Sequence, residues 1–147
     1  IGPLTRRYRT DILQLHYRRL KTSFYTDTMF MKCKSLKGKT CAQVYTDGNG
    51  FIRVDPMTSK KEAGDTLGRF LEDVGTPTKI IYDGAPEQIG DKTSKFQTIM
   101  RKHQIIGHQN EAFTQKYNRA EDSGRELKRS WKQRIIRRRA PKRVWDF

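Results

Sequence analysis

Two runs rich in β-branched and apolar residues, Thr40 to Thr46 and Phe51 to Val54, flank the tetrapeptide Asp47-Gly48-Asn49-Gly50. Asp-Gly and Asn-Gly supply the positive-φ positions that tight turns require, so this stretch specifies an antiparallel hairpin. The next segment narrows the fold further. Ser59-Lys60-Lys61-Glu62 has the form of a capping box, and behind it Ala63, Leu67, Phe70, Leu71 and Val74 recur at helical spacing until Gly75, with Pro77 just beyond. This predicts an amphipathic helix of about four turns. The short apolar run Ile80-Ile81-Tyr82 then ends at Asp83-Gly84, the pattern of a buried strand closed by a turn. A strand reached through a crossover helix pairs in parallel, and the loop at its C-terminal end opens outward. Asp83 lies at that opening.

Upstream, Thr22 to Phe30 reads as a strand with Phe24, Thr26, Thr28 and Phe30 on one face and Tyr25, Asp27 and Met29 on the other. Downstream, Ser94 to His103 predicts a shorter helix with Phe96, Ile99 and Met100 inward, and Ile105-Ile106 a short strand. The polar stretch from Gly107 to Lys116 reads as a loop. A last helix is expected from Asn118 to about Arg138, with Ala120, Gly124, Leu127, Trp131 and Ile135 along one stripe. The order of strand, hairpin, helix, strand, helix, strand, helix makes this an α/β chain: a mixed sheet with helices packed on its faces.

Of the 147 residues, 34% are hydrophobic, below the roughly 45–50% of an average domain, so the core is modest. The formal net charge is +15, and it is unevenly placed. Residues 1–21 carry six basic and one acidic side chain, residues 22–124 fifteen and thirteen, and residues 125–147 ten and two. The expected organisation is a basic N-terminal arm or linker (1–21), a folded core (22–133) that is nearly neutral up to residue 124, and a basic C-terminal extension (134–147). Basic arms of this kind meet polyanions, because each phosphate neutralised releases condensed counterions; a solvated tail without a partner is the alternative. Arg134, Arg137, Arg138, Arg139, Lys142 and Arg143 read equally as a phosphate-binding arm or a nuclear import signal. No apolar run is long enough for a membrane span. Cys33 and Cys41 have the wrong spacing for a metal or redox pair, and His16, His103 and His108 are too scattered to complete a zinc site with them. The thiols are read as reduced residues of an intracellular protein. The chain starts at Ile1 and ends at Trp145-Asp146-Phe147 in mid-pattern, as a piece of a longer protein would.

Three carboxylates stand where packing gives little reason for them. Asp27 sits in mid-strand, where Asp is disfavoured; Asp83 ends a buried strand; Glu121 opens the last helix. Fifty-five residues separate the first two and thirty-seven the second two. Each has a bland reading: an edge-strand charge for Asp27, a turn residue for Asp83, and a capping-box residue in Asn118-Arg119-Ala120-Glu121 for Glu121. If the two strands are neighbours and the helix crosses the sheet, the three meet. They would repel one another unless hard divalent cations compensate, and two such ions about 3.5–4 Å apart clamp the oxygens of a phosphoryl transfer. Glu121, Arg125, Lys128 and Lys132 recur at steps of four, three and four, so a carboxylate and three cations share one helix face.

Phe24-Tyr25-Thr26-Asp27, Ile80-Ile81-Tyr82-Asp83-Gly84-Ala85 and Asn118-Arg119-Ala120-Glu121 resemble the three acidic motifs of the integrase catalytic core of Ty1/copia retrotransposons, a retroviral-type integrase of the RNase H-like DDE superfamily. The resemblance covers roughly residues 20–147. It implies an RNase H-like fold and a catalytic and metal-binding triad of Asp27, Asp83 and Glu121 holding two Mg2+ ions, with Mn2+ as substitute. It also implies 3′-end processing and strand transfer of element DNA, double-stranded DNA and a second copy of the chain as partners, and residence in the nucleus and a cytoplasmic virus-like particle. Gln109, Asn110, Gln115, Tyr117 and Asn118, around the expected loop, join Arg125, Lys128 and Lys132 as candidate nucleic-acid contacts. A catalytically silent RNase H-like nucleic-acid-binding or assembly module is the alternative, and a ribonuclease for RNA/DNA hybrids shares the fold and metals.

Overall fold

The computed structural model describes residues 18–83, 94–110 and 119–146. Its strands are β1 (Ser23–Phe30), β2 (Cys41–Thr46), β3 (Ile52–Met57), β4 (Lys79–Asp83) and β5 (Ile106–Asn110), and its helices α1 (Ala63–Asp73), α2 (Lys95–Lys102) and α3 (Arg119–Arg138). They form one five-stranded sheet in the order β3-β2-β1-β4-β5. β1, β2 and β3 are antiparallel neighbours, while β4 pairs in parallel with both β1 and β5. The expected mixed sheet and parallel crossover are both present.

Alternation along the strands sorts residues between two layers. Phe24 on β1, Tyr45 on β2, and Ile80 and Tyr82 on β4 join Leu67, Phe70 and Leu71 of α1 and Phe96 and Met100 of α2 in the main core. Phe70 stands at its centre, stacked on Tyr45 (4.8 Å between centroids) and edge-on to Phe24 (5.1 Å). The opposite face carries α3, packed across β1 and β2. β2 is therefore covered on both sides, which is why all six of its residues are buried. Among the described residues, no helix is long and apolar enough to cross a membrane.

Several boundaries differ from the sequence expectation, each for a physical reason. β3 runs on through Asp55-Pro56 to Met57. It is an edge strand, where a proline lacking its N–H breaks no ladder bond on the open side. The expected capping box is not made: Ser59 gives no side-chain cap bond, a 3-10 turn (Lys60–Glu62) precedes α1, and the Glu62 carboxylate accepts from the Thr58 amide at 3.3 Å in place of the Ser59 amide. Ser94 does cap α2, its hydroxyl accepting from the Gln97 amide at 3.2 Å. Gly107 to Asn110, expected in a loop, belong to β5, which at the sheet edge tolerates polar residues. Phe30, which shares a strand face with Phe24, Thr26 and Thr28, ends β1 at 52% exposure beneath the Lys60 ammonium.

Both ends of the described chain are tied to the body. Leu20 N donates to Thr76 O (2.7 Å), Thr76 N to Arg18 O (2.6 Å), and the Arg19 guanidinium to His103 O (2.6 Å). Beyond α3, Trp145 Nε1 donates to Cys33 O (2.9 Å), Leu36 N to Arg143 O (2.9 Å) and Ser35 Oγ to an Asp146 carboxylate oxygen (2.9 Å). Residues 134–138 continue α3, and this strap returns the chain to the β1–β2 connection.

Candidate active site at the centre of the sheet

β1 is the middle strand, so Asp27 is not an edge-strand charge. It sits half-buried between Thr26 and Thr28, and its Oδ1 accepts from the Thr28 amide at 2.8 Å. In the parallel pairing, Thr26 stands opposite Tyr82, so the next residue on each strand is an aspartate: Asp27 on β1 and Asp83 on β4. Residues at one register position on adjacent parallel strands belong to one face of a sheet. Asp83 is in turn the partner of Asn110 on β5. Asp27, Asp83 and Asn110 thus form a row across three strands. β4 and β5 end at this row while β1 continues to Phe30.

The face that carries Asp27 is the face α3 covers. Ala120 is 1% exposed and Gly124 is buried, so the first turns of α3 lie close to the sheet; a Cβ on Gly124 would stand 3.8 Å from the Met29 sulfur. Leu127, Trp131 and Ile135 continue the stripe, half-buried, as their spacing predicts. Glu121 follows Ala120 in the first turn, within one turn of Gly124. Lys128, further along the same helix, is half-buried. Burial pushes its ammonium pKa down, as do Lys132 and Lys32 beside it, while Asp27 acts in the opposite direction. That last influence ties the cationic edge of α3 to the first aspartate of β1. Arg125 is exposed and lies 3.7 Å from the Asp122 carboxylate.

Beneath Asp27, on the core side of the same strand, lies a polar group whose role the sequence does not reveal. Gln43 of β2 is fully buried; its Nε2 donates to Thr26 Oγ1 (2.6 Å) and its Oε1 accepts from Thr28 Oγ1 (2.8 Å). One amide therefore clasps the residues on either side of the aspartate. Nearby, the Tyr45 hydroxyl meets Thr66 Oγ1 at 2.8 Å; burial raises its pKa far above the usual value, with the Thr66 and Thr26 hydroxyls opposing. A lone Gln in a run of β-formers carries no signal of burial, so only the pairing shows it.

Of the residues singled out from sequence, Asp27, Asp83 and Asn110 come together in the sheet, and Glu121, Arg125, Lys128 and Lys132 follow one another along the helix above it. Gln109 is an exposed residue of β5, opposite Tyr82, and not part of a loop. Gln115, Tyr117 and Asn118 lie outside the described residues. Among the described side chains no three His, Cys, Asp or Glu form a metal cluster; of the acidic triad, Asp27 alone has a described side chain. Cys33 is held in the strap region and Cys41 points into the core, so neither thiol accompanies Asp27. The donors the sheet row and helix offer are hard oxygens, the set that suits Mg2+ or Mn2+.

No protein-family model and no curated protein matches the sequence. Solved structures do. The catalytic core domain of HTLV-2 integrase, in complex with magnesium, is similar in its dimeric form with a TM-score of 0.61 at 17% identity, over 79% of this chain and 73% of that one. Its trimeric form gives 0.61 at 18% identity, over 88% and 83%. The simian T-cell lymphotropic virus intasome, in complex with PP2A regulatory subunit B56 gamma, gives 0.65 at 18% identity over 82% of this chain, which spans 44% of that one. At such identities the likeness is one of fold. The chain has the RNase H-like fold of retroviral integrase catalytic cores.

Proposed function

We propose that this chain is the catalytic core of a retrotransposon integrase of the Ty1/copia type, a DNA phosphoryl transferase that processes 3′ ends of element DNA and joins them to a target. The observation that carries the reading is the parallel β1–β4 register, which makes Asp27 and Asp83 neighbours at the centre of the sheet, with α3, the helix that bears Glu121, packed across β1. Adjacent carboxylates at the middle of a sheet repel, and that cost is tolerated where cations relieve it. The structural neighbours include integrase cores in complex with magnesium.

In this reading Asp27, Asp83 and Glu121 hold two Mg2+ ions. When bound, the ions supply Lewis acidity to the attacking and leaving oxygens of an in-line displacement. The chain's own groups do the rest. Arg125, Lys128 and Lys132 neutralise backbone phosphates along α3, and Asn110, next to Asp83, offers an amide to the strand held there. Gln109, Gln115, Tyr117 and Asn118 extend that contact surface, and the basic run from Arg134 to Arg143 adds affinity that carries no sequence information. A second copy of the chain completes the working assembly, which acts in the nucleus after formation in a virus-like particle.

Glu121→Gln tests the assignment. With Mg2+, 3′-end processing of a duplex oligonucleotide is expected to vanish while DNA affinity stays at the parent level; turnover equal to the parent's overturns the triad. A parent chain that binds DNA but shows no carboxylate-dependent ion binding is instead the catalytically silent module.

A further inference from the structure

A groove of about 490 Å³ lies between the end of β1, the connection that leads on from it and the C-terminal half of α3. Met31, Trp131, Ile135 and Ile136 supply its apolar surface; Ile136 is 76% exposed, and Phe30 beside it 52%. Four lysines line the same groove: Lys32, Lys128, Lys132 and Lys142. No carboxylate is among its described lining residues. Lys32 and Lys132 are each close enough to act electrostatically on Lys128, and a fifth cation, Lys60, stands 5.0 Å over the Phe30 ring. An apolar surface exposed inside a ring of like charges is doubly unfavourable until something covers the one and neutralises the other.

We propose that this groove docks an acidic protein segment, one that places two or three leucine, isoleucine or phenylalanine side chains on the apolar floor and carboxylates against the lysines. The chemistry of the lining favours peptide over nucleic acid. Bases stack on open aromatic faces and arginine planes, and their edges seek hydrogen-bond partners. Here Met31, Ile135 and Ile136 share the floor with the Phe30 and Trp131 rings, no arginine is among the described lining residues, and Lys60 already stands over the Phe30 ring. Lysines act as point charges that pair with carboxylates without demanding planar geometry. The groove is built as a unit. The strap from Arg143 to Asp146, bonded to residues 33–36, fixes Cys33 and Lys142 at one end, and α3 supplies the opposite wall. Lys128 and Lys132 also belong to the helix face assigned to DNA. Segment and DNA would therefore compete for them, and the partner would act as a brake on DNA engagement. The docking itself does not depend on catalysis.

The probe is a fluorescein-labelled peptide of fourteen residues with three leucine or phenylalanine anchors among Asp and Glu, titrated with the full chain and followed by anisotropy. Two controls accompany it: the same peptide with serine at the anchors, and a single-stranded oligo-dT of equal charge. Saturable binding of the anchored peptide is expected, weakened roughly tenfold or more by Ile136→Ser, where a burying side chain is lost without a change of charge, and by Lys142→Glu. Oligo-dT affinity should not change with Ile136→Ser. Because Ile136 and Lys142 are surface residues, unchanged thermal melts are expected for both variants; Lys32→Glu repeats the charge test on a second lysine. No saturable binding, equal binding of the serine peptide, binding indifferent to Ile136→Ser and Lys32→Glu, or oligo-dT losing affinity in parallel with Ile136→Ser would each overturn the proposal.

Discussion

Replacing Gln43 by Met exposes how the aspartate strand is held. The side chain is fully buried, and the substitution keeps its volume while removing both ends of the amide clasp. Thr26 Oγ1, itself 0% exposed, loses the 2.6 Å donor, whereas Thr28 is only half-buried and turns to water. A buried hydroxyl deprived of its partner costs about 1–3 kcal/mol, so Gln43→Met should destabilise by that amount. Thr26→Val makes the converse error, stranding the Nε2 donor at about the same cost. Making both changes removes donor and acceptor together, so the double variant should be less destabilised than the sum of the singles by about 1 kcal/mol or more. Urea unfolding of the parent and the three variants, followed by far-UV circular dichroism, measures this directly. Additivity within about 0.5 kcal/mol would mean that the clasp contributes no energy, and that Asp27 is held by the sheet ladder alone.

Two further expectations come from other parts of the fold. Gly75 has φ of 132°, and a Cβ there would meet Arg18 O at 2.6 Å, so Gly75→Ala should lower stability by about 1–3 kcal/mol in the same unfolding assay, and a parent-like midpoint would refute the strain. His103 is buried, and burial, then Arg19 and Lys102, hold its pKa below the usual 6.5. Its folded value lies below the unfolded one, so this contribution is intact above about pH 6.5, falls as the unfolded state takes up protons below that, and levels off once pH passes under the folded value. Melting temperatures of parent and His103→Gln between pH 5 and 8 should converge toward low pH, and parallel curves would contradict the shift.

How far sequence reaches is set by where a residue's neighbours lie. The hairpin, α1 and the apolar stripe of α3 depend on contacts within one turn or between adjacent strands, and each is legible as spacing. β5 escapes such reading because an edge strand need not alternate, and Gly107-His108-Gln109-Asn110 looks like a polar loop until Asp83 is seen across from it. Pro56 hides the end of β3 for the same reason. Ser59 has the form of a cap without making the bond, since the 3-10 turn draws the Glu62 amide to the Ser59 carbonyl. At the candidate site, Asp27 stands out because an aspartate is disfavoured in mid-strand, and its position in the central strand removes the edge-charge explanation. Gln43 cannot be found in this way. Its partners, Thr26 and Thr28, are fifteen to seventeen residues distant and meet it only through the antiparallel register. The groove between β1 and α3 is equally hidden, because its lysines come from segments nearly a hundred residues apart.

The measurement closest to the central claim is strand cleavage and rejoining on a pre-branched DNA substrate in Mn2+, comparing the parent chain with Asp83→Asn. This reaction asks least of any other domain or copy. If the β1–β4 row is a metal-dependent transferase site, the parent converts the substrate and the variant does not, with ion binding by titration calorimetry lost in parallel. Equal conversion by parent and variant, or a parent that neither acts nor binds Mn2+ through these carboxylates, would contradict the account.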